Sequence, residues 1–120
     1  MAELFGRVSM MPDEYTLNTW NTFYEVKSNM TGALSFVFSI TNCTPMIGGV
    51  EREITVEVKI VDRDDRLVHY LLTPNKLKSH GSAWDAAQKI VLYPGDRILF
   101  KASDHGLNLY ASLVERVMLF

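Results

Sequence analysis

Three histidines, a cluster of aspartates and one cysteine carry the side-chain chemistry for metal binding or covalent catalysis in this 120-residue sequence. His69, His80 and His105 are dispersed, with no His-x-x-x-His pair and no cysteine beside them to complete a zinc set. They read as one strand residue and two loop residues. Asp62, Asp64 and Asp65 are carboxylates of the kind a hard cation takes on a turn. That segment, however, places Leu67 where a calcium loop needs its sharp-turn glycine, and Arg63 and Arg66 interleave with the aspartates. The pattern predicts a solvated turn. Cys43 needs a histidine brought to it by the fold before it can act as a nucleophile, and the sequence has neither a Gly-x-Ser-x-Gly elbow nor a phosphate-binding glycine loop. The expectation is a protein with no catalytic residue, no metal and no cofactor.

Composition narrows the partners. With 12 basic against 14 acidic residues and no basic block, nothing attracts a phosphate backbone, so no nucleic acid is expected. No stretch reaches the roughly eighteen apolar residues of a membrane helix, so no membrane partner is expected either. Residues Met1 to Arg7 lack the basic start and apolar centre of a secretory leader. Cytoplasmic synthesis follows as the expectation, and the sequons Asn29-Met30-Thr31 and Asn42-Cys43-Thr44 then read as chance matches. A single cysteine leaves stability to the core, and 48% hydrophobic residues against 22% charged are the balance of an ordinary folded domain.

The elements that would position any site are strands. From Ala33 to Thr41 the large side chains Leu34, Phe36, Phe38 and Ile40 recur every second residue, which predicts one buried face. Ile54, Val56, Val58 and Ile60 repeat the pattern, and their β-branched side chains suit a pleated sheet. The polar run Asp62 to Arg66 predicts a hairpin to the strand Leu67 to Leu72. At Tyr93-Pro94-Gly95-Asp96, proline presets the first central angle and glycine supplies the positive φ of a type II turn, with strands on either side. The last run places Leu107, Leu109, Ala111 and Leu113 on one face. Ser82 and Asp85 are spaced as a capping box, which points to a single helical turn around Trp84. Six to eight short strands separated by proline and glycine predict an all-β, antiparallel sandwich of jelly-roll-like kind with little helix. It divides into an arm at 1–21, a sandwich at 22–116 and an apolar tail at 117–120.

Both ends are more apolar than solvated termini should be. The arm carries Leu4, Phe5, Val8, Met10 and Met11, and the chain finishes Val117-Met118-Leu119-Phe120. Either these segments add strands to the domain's own sandwich, or they dock on a neighbouring subunit. Exposed aromatics suggest an alternative use of such a sandwich, a carbohydrate-binding module built on Trp20, Trp84, Tyr24 and Tyr93.

The order of elements also resembles a known group. Phe23-Tyr24-Glu25-Val26, then Ser39-Ile40-Thr41-Asn42, then Glu53 to Val61, the turn Leu92 to Asp96, Ile98 to Ser103 and Leu109 to Glu115 together resemble the small β-sandwich virion proteins of tailed bacteriophages. The likeness covers residues 22 to 116 and is one of strands and turns. It implies a non-enzymatic capsid decoration, head-tail or tail component located in the virion. Such a component is a homo-oligomer that also docks on other virion structural proteins. The nine apolar residues of the two ends are then the expected contact residues.

Overall fold

The computed structural model describes residues 2–10, 13–45, 48–79, 83–85 and 89–117. Nine strands are found among them: β1 (Ala2–Met10), β2 (Asn21–Glu25), β3 (Met30–Asn42), β4 (Ile54–Val61), β5 (Leu67–Leu77), β6 (Ala83–Asp85), β7 (Ile90–Leu92), β8 (Arg97–Ala102) and β9 (Leu107–Val117). No helix occurs in the described residues. A five-stranded sheet runs β1-β9-β3-β6, with β7 also paired to β3, and a four-stranded sheet runs β2-β8-β4-β5. Every pairing is antiparallel, and the two sheets form the expected sandwich.

The core lies between the sheets. Ile54, Val56, Val58 and Ile60 alternate inward from β4, and Leu107, Leu109, Ala111 and Leu113 from β9, as their spacing predicts. Phe23 of β2 meets Phe38 of β3 edge-on, with ring centroids 5.3 Å apart, so an aromatic pair fastens one sheet to the other. Full burial of a side chain of this size contributes about 1.5–3 kcal/mol. Phe38, Phe100, Ile40, Ile54 and Leu109 are all among the most enclosed side chains.

Two bulges change which residues face inward. On β3 the register against β9 shifts between Ser35 and Val37. Ala33 and Ser35 are buried before the shift, and Phe38, Ile40 and Asn42 after it. The expected single face through Leu34, Phe36, Phe38 and Ile40 is therefore corrected, because one inserted residue reverses the phase of a strand. Leu34 turns to the outer side, and the Phe36 side chain lies outside the described residues. On β2 a shift between Thr22 and Tyr24 leaves both Phe23 and Tyr24 buried.

Local readings fare variously. The turn after β7 forms as expected, with the Asp96 N–H donating to the Tyr93 carbonyl at 3.0 Å and Gly95 at φ 89°. The hairpin from β4 to β5 is also present, but β5 continues through Pro74 to Leu77 rather than stopping at Leu72. The helical turn expected around Trp84 is instead β6, paired to β3 through Ile40 and Trp84, where the Trp84 ring packs edge-on against Phe38 at 5.8 Å. Ser82 lies outside the described residues.

Candidate interaction surface

Of the residues singled out for chemistry, Asp62, Asp64, Asp65 and His105 are engaged in structure. Asp62 Oδ1 accepts the N–H groups of Asp64 at 2.9 Å and Arg66 at 3.0 Å, and the Arg66 bond chiefly holds its carboxyl below the usual range. Asp65 pairs with Arg97, and Asp64 lies 3.8 Å from Arg66. The turn thus spends its carboxylates on its own backbone and on arginines. Among the described residues no three metal-ligating side chains gather. His69 is exposed on β5. His105 Nε2 lies 2.9 Å from the Tyr15 carbonyl, and His80 lies outside the described residues. Cys43 is exposed.

The second sequon has a structural use that its sequence context does not announce. Asn42 is fully buried; its amide donates to the carbonyls of Arg52 at 2.9 Å and Leu77 at 2.8 Å. Its oxygen accepts the N–H and hydroxyl of Thr44 at 3.0 and 2.6 Å, and Thr44 Oγ1 lies 3.1 Å from Ser79 Oγ. Asn42 and Thr44 therefore tie the end of β3 to the end of β5.

Of the aromatics offered for sugar binding, Tyr24 is buried and Trp84 rests on Phe38. Trp20 has Lys59 Nζ 4.0 Å from its ring centroid and Lys101 Nζ at 5.0 Å, and Lys101 is held in turn by Glu57 at 3.1 Å. Cation–π contact fills a Trp20 face that a sugar would stack on. Tyr93 is 66% exposed. An open cleft of about 710 Å³ lies nearby between three turns, lined by Lys27, Arg63, Glu25 and Gly95 among others, and mixes both signs of charge.

The surface that stands out is the outer side of the five-stranded sheet. Leu34 is directly opposite Val91 on β7 and Val114 on β9, and Val114 is opposite Phe5 on β1. Because Ala33 and Ser35 face the core, Val91, Leu34 and Val114 make a row of apolar residues that crosses three strands on the side turned to water. Val91 is 61% exposed, and Val37, one register step along, 47%. The bulge in β3 creates the row, and simple alternation conceals it.

The expected contact residues separate on this frame. Residues 2–10 form a strand of the domain's own sheet, and 13–20 follow it over the β8–β9 turn, where the Tyr15 hydroxyl donates to the Asp104 carbonyl at 2.7 Å and accepts the Leu107 N–H at 3.1 Å. Val8 and Met10 pack partly buried against the core. Leu4 and Phe5 are opposite Glu115 and Val114, and Val117 is opposite Ala2. Met11, Met118, Leu119 and Phe120 lie outside the described residues. Neither a protein-family model nor a curated protein sequence matches this chain.

Proposed function

We propose that this domain is a non-enzymatic structural component of a bacteriophage virion that acts by self-association and by docking on other virion proteins. The observation that carries the reading is the apolar row Val91, Leu34 and Val114 on the outer side of the five-stranded sheet. A sandwich already has its core between the sheets, so a second apolar row facing water gains free energy only when another surface covers it, at about 25 cal/mol per Å². The edge strand β5 adds to this, with Leu67 55% and Val68 54% exposed. The order of strands and turns between residues 22 and 116 supports the virion setting.

Light scattering of the purified chain over a range of concentrations tests self-association. The expected result is an oligomer that falls to a smaller species when Leu34 and Val91 are both replaced by serine while the circular dichroism stays that of a folded β protein. A monomer at every concentration overturns it. Mass spectrometry of purified phage particles tests the setting: peptides of this chain in proportion to the major structural proteins support it, and their absence removes it.

A further inference from the structure

We propose that two copies of this chain pair antiparallel through β1, about a two-fold axis at Phe5, so that their five-stranded sheets become one sheet of ten strands. This rests on the self-association reading and adds an edge contact to the face contact made by the outer row. Three observations converge on it.

The first is the character of the sheet edges. Natural edge strands are blunted by shortness, proline, charge or bulges, since a long regular one templates pairing with another chain. Strand β5 contains Pro74 and Lys76, and its register against β4 shifts three times. Strand β2 has five residues and a bulge, and β6 and β7 have three residues each. Strand β1 has nine residues, no proline and an unbroken register against β9. Of these edges it alone is long, free of proline and regular in register.

The second is charge. Glu3 and Arg7 are the charged residues of β1, two positions either side of Phe5, and Arg7 is exposed. An antiparallel pair centred on Phe5 sets Glu3 of each copy opposite Arg7 of the other, twice over. Centring on Glu3 or on Arg7 sets like charges together instead, which directly opposed strand positions disfavour. Centring on Leu4 or Gly6 leaves both charges unmatched. Charge complementarity therefore selects one register and makes the occupant a second copy.

The third is continuity. The register position of Phe5 is opposite Val114, from which the outer row runs through Leu34 to Val91. A two-fold axis perpendicular to the sheet keeps each face on its own side, so Val114, Leu34 and Val91 of both copies lie on one side of the joined sheet.

Cysteine cross-linking of the full chain reads the register directly. In a Cys43→Ser background, Phe5→Cys sets two thiols on the axis, where opposed antiparallel Cα atoms lie about 4.5–5.5 Å apart, within disulfide reach. Ser9→Cys in the same background sets them roughly 26 Å apart, eight residue steps along the strand. Mild oxidation should link Phe5→Cys into a dimer and leave Ser9→Cys unlinked. Independently, Arg7→Glu or Glu3→Arg alone should weaken dimerisation roughly tenfold or more, and the double exchange should restore it to within a few-fold, as expected for two ion pairs made repulsive and then remade. An oligomer that persists without the Phe5→Cys link, or a double exchange as weak as the singles, overturns pairing through β1 and leaves self-association standing. A monomeric wild-type chain overturns both.

Discussion

The Tyr24 hydroxyl donates a 2.6 Å hydrogen bond to Glu115 Oε2, joining β2 of one sheet to β9 of the other. Each residue is inward for its own reason. The bulge in β2 turns both Phe23 and Tyr24 to the core, and Glu115 is opposite the buried Ala33 in the β3–β9 register. A carboxylate at a core-facing position needs a donor, since an ion left without one between two sheets is costly. Tyr24 supplies it from 91 residues away, at one end of the sandwich.

Replacing Tyr24 by phenylalanine keeps the ring packing and leaves Glu115 Oε2 without this donor. Hydrogen bonds to charged groups contribute about 1.5–3 kcal/mol. The pair is only partly enclosed, so we expect Tyr24→Phe to destabilise the domain by about 1–2 kcal/mol in urea unfolding, with an unchanged m-value. Glu115→Gln, which keeps an oxygen acceptor, should cost less. Equal stability of wild type and Tyr24→Phe shows that the bond contributes nothing.

The same contact sets an alkaline limit. Burial chiefly, then the hydrogen bond to Glu115 and its negative charge, push the Tyr24 hydroxyl well above its ordinary value of 10.0. A folded value above the unfolded one means that the contribution is complete below pH 10.0 and is lost as pH rises from there through the raised folded value. The stability gap between wild type and Tyr24→Phe should therefore hold steady below about pH 9 and narrow above about pH 10. Tyr15, whose hydroxyl is also raised, chiefly by burial, is common to both proteins and cancels in the comparison. A gap independent of pH contradicts the assignment.

How far this was readable in advance depends on the reach of each signal. The face of Ile54, Val56, Val58 and Ile60 and the turn at Pro94 and Gly95 are local, so spacing and turn chemistry suffice. Leu34 is different: alternation places it inside, and only the inserted residue after Ser35 turns it out. Nothing in one strand's sequence marks where its partner lacks a residue, so the outer apolar row could not be read beforehand. Three residues of β6 are too few to show a period, and the Ser82 to Asp85 spacing mimicked a helix start. Asn42 beside Pro45 reads as loop, because its partners Arg52 and Leu77 are distant in sequence.

Asn42→Ala tests that buried network. It removes both amide donors from the carbonyls of Arg52 and Leu77 and the acceptor that serves the Thr44 N–H and hydroxyl. Unsatisfied buried polar groups cost about 1–3 kcal/mol each, and partial relaxation lowers their sum. We expect a loss of about 3 kcal/mol or more in chemical denaturation, near the upper end for a single substitution. A loss below about 1 kcal/mol shows that water replaces the side chain without penalty.

Gly106 closes against this same network. Its φ is 122°, and a Cβ built there would lie 2.3 Å from Thr44 Cγ2 and 3.2 Å from Ile54 Cδ1. Thr44 has little freedom to withdraw, because its N–H and hydroxyl are both bound to Asn42. Gly106→Ala therefore combines backbone strain of about 1–2 kcal/mol with a steric clash, for an expected total of about 2–4 kcal/mol. The two parts separate in a double-mutant cycle. Thr44→Ser retains the hydroxyl and its hydrogen bond but deletes the methyl group that the new Cβ meets. Backbone strain is the same in either background, so only the clash is relieved, and Gly106→Ala should cost about 1 kcal/mol less beside Thr44→Ser than in the wild type. Additive costs place the whole penalty in the backbone angle and remove Thr44 as its cause.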